Sequence, residues 1–320
     1  MVNESILVTS SSIKFSLIEC IKNAASRINP KISIIAGDSD KSVPSRYLVD
    51  NFWHMPVLDK LSIKDIISEC ENKNIKTILP SRDEELIYWA KIKEELEFKN
   101  IFTIISPLRA IEICFDKLKF SFFCQKLNMP CIQTSIDINK LNTNLYVVKE
   151  RFGSGSKKII LKATKKIAIK ESLNFIEPIF QPYIEGSEIS VDIWLTNKSK
   201  VYGLVLRKRN KVVNGESQIT STFRNLKLEN FFIKFIESFG LTGPVVLQAI
   251  FDDNDIHIIE VNARFGGASS ASISMGLDML YWSLFERYHP YKNLPKFKRN
   301  KKNITQIRIT KDILVDDLNL

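Results

Sequence analysis

An α/β chain, with a parallel-sheet domain over residues 1–107 and two α+β lobes over 108–185 and 186–320, is predicted by three observations. The first hundred residues alternate short apolar runs with amphipathic segments, and the pattern changes after Pro107. Farther on, two apolar runs, 245–251 and 256–261, flank the polar turn Asp252-Asp253-Asn254-Asp255. Strands alternating with helices build a parallel sheet covered on both faces. Apolar runs joined by a short polar turn build an antiparallel hairpin.

In the first domain a strand at 6–8 precedes a helix whose Phe15, Ile18, Ile21, Ala25 and Ile28 share a face, and a second strand covers 32–36. Ile63, Ile66, Ile67 and Cys70 recur at helical spacing, followed by a strand at 75–79, a helix from Asp83 and a strand at 102–105. Ligands of such sheets gather beyond the carboxyl ends of the strands, which points to 9–12, Asp38 and 80–84. Ser81 and Arg82, with Asp83, are candidate substrate contacts there. Capping of the next helix accounts equally well for Ser81 and Asp83. No glycine fingerprint follows the first strand, so a dinucleotide is not expected.

Four later segments carry the chemistry. Cys114-Phe115-Asp116-Lys117 opens a helix whose Leu118, Phe122, Phe123 and Leu127 are read as its buried face. Lys149 ends a β-branched run and is followed closely by Gly153-Ser154-Gly155-Ser156. Small residues let backbone N–H groups approach a phosphate, and the lysine supplies a point charge. An extended segment through Gln181, Tyr183 and Ile184 turns at Gly186 and resumes as an alternating strand from Glu188, a hinge able to hydrogen-bond a flat base. In the hairpin, a turn centred near Asn254 sets Gln248 opposite Glu260, while Glu260 and Asn262 share a sheet face. One carboxylate and two amide oxygens suit Mg²⁺, a hard cation that completes its shell with water and phosphate. Arg264 adds a planar cation where negative charge gathers. Taken singly, each segment is equally a plain turn, a wet sheet face or a surface charge.

In this order and spacing the four segments resemble the ATP-grasp superfamily, and the resemblance covers nearly the whole chain. It is nearest to the synthetase half of the carbamoyl phosphate synthetase large subunit and to single-unit carboxylate–amine ligases. The resemblance implies an ATP-grasp fold, with two lobes clamping ATP behind a pre-ATP-grasp domain. It implies that Lys117 and Lys149 contact the nucleotide phosphates and that Gly153, Ser154, Gly155 and Ser156 close over them. Gln181, Tyr183 and Ile184 would form the adenine hinge, Glu188 the ribose contact, and Gln248, Glu260 and Asn262 would hold two Mg²⁺ ions, with Mn²⁺ as an alternative. Arg264, together with Lys149, would be catalytic, stabilising the transferred phosphoryl group and an acyl phosphate that a small-molecule amine then attacks. Departures from the pattern fall at Gln181, where an acidic residue is common, and at Gln248, which matches the carbamoyl phosphate synthetase type and not the D-alanine ligases. Two rivals stand beside ligation: synthesis of a carbamoyl-phosphate-like or other acyl phosphate, and a non-catalytic nucleotide-binding module.

Between these motifs, 207–220 reads as a mobile loop over the active site, with Arg207 and Arg209 sharing a face toward phosphate or a substrate carboxylate. Phe231, Phe232, Phe235 and Phe239 are read as core packing, His54, His257 and His289 as unsuited to act as a base, and 305–315 as a last strand. Forty-six Lys and Arg against 36 Asp and Glu give a net charge of +10, spread along the chain apart from a cluster at 296–302. That pattern suits a solvated surface and an ATP site and argues against nucleic acid. The five cysteines show no C-x-x-C spacing, and no apolar run is long enough to span a bilayer, so a cytoplasmic enzyme without disulfides, structural zinc or a membrane partner is expected. The residues do not fix the oligomeric state, although dimers are common among the proteins the chain resembles and a homodimer is one assembly open to it.

Overall fold

The computed structural model describes residues 4–153, 158–252, 255–310 and 312–314. Five parallel strands, β1 (Ser5–Thr9), β2 (Ser33–Asp38), β3 (Asn51–His54), β4 (Ile75–Leu79) and β5 (Phe102–Thr103), lie in the order β3-β2-β1-β4-β5. The helices α1 (Phe15–Ile28), α2 (Ile63–Asn72), α3 (Asp83–Lys91) and α4 (Lys93–Phe98) alternate with them. β3 escaped the sequence pattern because it is an edge strand in which only Trp53 is buried, leaving no run to see. Helix α1 buries Leu17, Ile18, Ile21, Ala24 and Ala25, so its inner face is rotated slightly from the predicted one, and Phe15 stays partly exposed at its start.

After α5 (Leu108–Phe115) and α6 (Lys117–Lys126) comes a three-stranded antiparallel sheet of order β7-β6-β8, made of β6 (Tyr146–Glu150), β7 (Ile159–Ala163) and β8 (Pro178–Pro182), with α7 (Lys165–Ser172) against it. The buried face of α6 is Leu118, Phe120, Ser121 and Cys124, whereas Phe122 and Leu127 are exposed, which corrects the predicted face. Three phenylalanines within four residues carry no clean helical period, and contact with Phe239 selects Phe120 and Phe123 (ring centroids 5.6 and 4.8 Å away).

The largest sheet has order β13-β12-β9-β10-β11-β14 and is antiparallel throughout: β9 (Ser187–Leu195), β10 (Val201–Val213), β11 (Glu216–Phe223), β12 (Gly243–Phe251), β13 (Ile256–Asn262) and β14 (Thr305–Ile307). The helices of this part are α8 (Leu226–Ile236), α9 (Ser270–Ser274) and α10 (Met279–Tyr288). The two-residue period of a strand sorts its side chains. Ile189, Val191, Ile193, Leu206, Leu247 and Val261 join one core with Phe232 and Phe235 of α8, so their polar neighbours in sequence share the opposite face. The predicted mobile loop at 207–220 is instead a long hairpin. Its tip, Asn214-Gly215, takes φ of +51° and +76°, the left-handed pair that matches the twist of two antiparallel strands. Among the described residues of the predicted last strand, Thr305–Ile307 alone forms a strand, paired with β11. Among the described residues no helix is long and apolar enough to cross a membrane.

Gly276, just after α9, has φ +93°, and a Cβ there would lie 2.3 Å from the Lys298 carbonyl oxygen. Gly276→Ala is therefore expected to cost roughly 1–3 kcal/mol in strain, read as a lower melting temperature. An unchanged melting curve would mean the 298–300 segment simply moves aside.

Candidate active site

Glu188, Ser190 and Asp192 of β9, Arg207 and Arg209 of β10, Gln248 of β12, and Glu260 and Asn262 of β13 occupy the polar face of the large sheet. Gln248 pairs with Glu260, and Val246 with Asn262, so the three oxygen-bearing side chains of the sequence reading stand together. The Asn262 amide donates to Glu260 Oε1 at 3.2 Å. Arg209 donates to Glu188 and to Gln248 Oε1 (3.2 Å), joining the expected ribose contact to the expected metal set. Arg209 is itself held by Ser217 Oγ (3.1 Å) and the Gly215 carbonyl (2.6 Å) of the hairpin. One register shift, between Gln248 and Ala249, had no sequence signal: it sets His257 opposite Ile250 and so on the same face as Glu260. By strict alternation from Glu260, His257 would lie on the other face; the bulge reverses this, although its Nε2 is engaged with Asp252 (3.0 Å) at the far end of the hairpin.

Across the cleft stand two buried lysines. Lys149 lies on β6, and Lys117, the first residue of α6, donates to the Gly153 carbonyl at 2.8 Å. Asp116 sets that position, and sequence reasoning gave it no role. It caps α6 by accepting from the Leu118 and Lys119 N–H groups (3.0 and 3.1 Å), and it receives Arg151 through both oxygens (2.9 and 2.6 Å). This clamp fixes the helix start against the beginning of the predicted phosphate loop. Ser154, Gly155 and Ser156 lie outside the described residues. Burial pushes the Glu260 carboxyl up, but Lys149 first, then Lys117, the Asn262 amide and Arg264, outweigh it and hold Glu260 below the usual carboxylate range. Burial lowers Lys149 to about 8, with Glu260 opposing and Lys117 adding to the fall. Cys114 also lines the cleft, and burial pushes its thiol up, which disfavours the thiolate there.

The first domain reaches this site through Asp83, whose Oδ2 accepts from Arg264 Nε at 2.9 Å. Asp83 lines one cleft with Lys117, Gly153, Glu260 and Asn262. Ser81 is 3% exposed and donates to the Ser10 carbonyl (3.0 Å), whereas Arg82 pairs with Glu84 (3.4 Å) and keeps about half of its side chain exposed. Nor does Ser81 or Asp83 cap α3 with its side chain. Glu85 does that work from within, accepting from the Ser81 and Arg82 N–H groups (2.7 and 2.9 Å), from Thr9 Oγ1 (2.7 Å) and from Trp89 Nε1 (3.0 Å). Arg207 is likewise corrected. It is 2% exposed and donates to Asp192 Oδ2 and Oδ1 (2.6 and 3.0 Å), so no substrate carboxylate reaches it while that pair holds. In the hinge, the Gln181 amide is buried and donates to Thr134 Oγ1 (2.7 Å), the Tyr183 N–H donates to the Leu145 carbonyl (2.9 Å), and Ile184 follows in the turn toward Glu188.

Two family models match the chain one after the other: a PylC-like N-terminal domain over residues 6–105 and an ATP-grasp domain over residues 114–268, which spans the segments from Lys117 to Arg264. The chain belongs to the ATP-grasp superfamily. Its ATP-grasp relatives include a carbamoyl-phosphate synthase of Methanobrevibacter smithii, 27% identical over 225 residues, 61% of this chain and 59% of that one. The match to that synthase thus leaves about two fifths of its length uncovered. A tyramine–L-glutamate ligase of Methanocaldococcus jannaschii is 25% identical over 229 residues, covering 68% of this chain and 73% of the relative. The ATP-grasp fold is shared with the biotin carboxylase domain of the Hydrogenobacter thermophilus 2-oxoglutarate carboxylase, solved as a dimer with magnesium ADP and bicarbonate: TM-score 0.76, 14% identity, 94% of this chain and 73% of that one.

The residues present fit an ATP-grasp metal site in kind. Gln248, Glu260 and Asn262 bring hard oxygen donors and one carboxylate held in its charged form. Among the described residues no group of three or more His, Cys, Asp and Glu gathers into a metal cage.

Proposed function

We propose that this ATP-grasp protein joins a carboxylic acid to an amine at the expense of ATP, through an acyl phosphate. One observation carries the reading: Lys117 and Gly153 from the small lobe, Glu260 and Asn262 from the large sheet, and Asp83 from the first domain line a single cleft. A carboxylate attacking ATP approaches an anion, so the chain must supply positive charge and alignment and need not supply a nucleophile. Lys117 and Lys149 sit where the nucleotide's phosphates would lie, and Arg264, oriented by Asp83, would face the charge that develops on the transferred group. Gln248, Glu260 and Asn262 would hold two Mg²⁺ ions, or Mn²⁺ in their place; bound there, such ions neutralise phosphate charge and template the in-line transfer. Glu188 would meet the ribose, and the 181–184 segment the adenine. The relatives named for tyramine–glutamate ligation and carbamoyl phosphate synthesis support C–N chemistry on an activated acid, and the dimeric neighbour supports a homodimer.

The test is ADP release with pools of carboxylic acids and amines, read by mass spectrometry. Ligation requires dependence on both pools and an amide product; dependence on the acid alone would replace ligation by acid phosphorylation. Lys149 adds a pH signature. A lysine protonated below about 8 attracts phosphate, and deprotonation removes that attraction as the pH rises. ATP affinity is therefore expected to be flat below that value and to weaken above it by up to about tenfold per pH unit, with proton uptake on binding. Lys149→Arg keeps the charge and should flatten the profile. A wild-type profile without a bend would separate Lys149 from the phosphates.

A further inference from the structure

A second cavity, of about 250 Å³, lies at the seam between the first domain and the large lobe and shares no lining residue with the active-site cleft. Its walls are the 102–105 segment with Lys93 of α4, the entry to β12 at Thr242, and Glu286 and Arg287 of α10. Beside it Ser106 closes the seam: its Oγ donates to the Thr242 carbonyl (2.8 Å) and accepts from the Thr242 N–H (3.0 Å). Side chains of extended backbone alternate, so four consecutive lining residues mean that the cavity meets the edge of the chain itself. β5 is the last strand of its sheet, and an edge strand offers N–H and C=O groups that no neighbouring strand takes. Within that run the Thr103 hydroxyl is buried and, among the described residues, has no hydrogen-bond partner. Both signs of charge are present and unpaired. Half-buried Glu286 accepts from the Asn197 N–H at 3.5 Å, the outer limit of a hydrogen bond, and among the described residues no cation pairs with it. Burial pushes its carboxyl up, with only that N–H opposing. Half-buried Arg287 has no ion-pair partner among the described residues either, and its guanidinium lies 5.9 Å from the Tyr288 ring centroid. Lys93, by contrast, is taken by Glu97 (3.7 Å). A half-buried charge without a partner is costly, and a ligand of opposite charge offsets the cost.

We infer that this cavity is a second small-molecule site, for an α-amino acid with an apolar side chain: its ammonium on Glu286, its carboxylate on Arg287, and its side chain against Phe102, Ile105 and Pro107. The volume agrees. It falls just below the roughly 300–1,000 Å³ of sites for drug-sized ligands, which leaves room for an amino acid and not for a nucleotide. An amine or a carboxylate alone would meet one of the two charges and strand the other, so a zwitterion is favoured. Touching both sides of the seam, the bound molecule fastens the first domain to the large lobe.

The experiment uses the full chain without ATP and follows binding by calorimetry and thermal melting, with L-leucine, L-valine and L-phenylalanine as probes. Each is set against its decarboxylated and its deaminated analogue: isoamylamine and isocaproate, isobutylamine and isovalerate, phenethylamine and hydrocinnamate. At least one amino acid should bind and raise the melting temperature, with both of its analogues weaker by about tenfold or more, the loss expected from removing one charge-assisted contact. Glu286→Gln and Arg287→Met should each weaken that binding by a similar factor and leave ATP affinity at its wild-type value. The bound amino acid should also slow hydrogen exchange over 102–107 and 283–287 together. Arg287→Met removes a side chain without an ion-pair partner, so it carries the test even if Glu286→Gln melts early. Binding by none of the three, analogues that bind as well as their parents, affinity untouched by both variants, or protection confined to the active-site segments overturns the inference and leaves the ligase reading as it stands.

Discussion

Replacing Glu260 by alanine is expected to lower acid-dependent ADP release by about 10³-fold or more, the effect of losing roughly 4 kcal/mol of transition-state stabilisation. The size follows from its surroundings. Glu260 supplies the one carboxylate of the Gln248, Glu260 and Asn262 set, and it faces two buried lysines that hold it charged. Amide oxygens alone leave a divalent ion without a formal counter-charge from the protein. Glu260→Gln separates the causes, because it keeps the volume and a partner for Asn262 but not the charge; it should be as inactive as Glu260→Ala while melting closer to wild type. Removal of the carboxylate also takes from Lys149 the largest influence that keeps its ammonium protonated, so nucleotide binding should start to weaken at lower pH in both variants. Wild-type turnover by either variant would refute the assigned role.

Asp192→Ala should be the most destabilising single substitution in the site, at about 3–5 kcal/mol, because it strands a buried guanidinium. Asp192 is fully buried and accepts from Arg207 twice and from Ser269 (2.6 Å) and Ser272. Ser269 in turn accepts from the Gly266 N–H (3.1 Å), so this carboxylate fastens the turn that follows Arg264 back onto β9. Thermal melting would read the loss. Pairing Asp192→Leu with Arg207→Met should recover much of it, since the cost lies in the unpaired charge and not in the ionic contact itself. If Asp192→Ala melts with the wild type, surrounding packing holds the turn unaided. Loss of activity at retained stability in the double variant would show that the carboxylate also sets Arg264.

Much of this was legible in the chain. Counting residues around a turn centred near Asn254 sets Gln248 opposite Glu260, and the structure has that pair, but through the bulge between Gln248 and Ala249: the pairs nearer the turn, Ala249 with Ile258, Ile250 with His257 and Phe251 with Ile256, lie one residue out of that count. The parallel sheet followed from apolar runs alternating with amphipathic helices. Asp116 was quoted in its motif but given no task, since the capping of α6 and the grip on Arg151 join residues 35 apart in sequence. The bulge that turns His257 onto the site face left no mark at all, being one extra residue in an apolar run.

The fates of Arg207 and Arg209 divide the two kinds of information. Sequence by itself determined that the two share a face of their own strand, and separately that Glu260 and Asn262 share a face of theirs, because alternation is a local property of extended backbone; that all of these face one way is a product of the sheet order. It also determined the order of the motifs, and hence the superfamily. Only the tertiary structure decided that Arg207 is locked onto Asp192, that Arg209 links Glu188 to Gln248, and that Asp83 orients Arg264. A side chain's partner depends on which distant segments pack beside it, and a buried ion pair forms only once folding has excluded water from both groups.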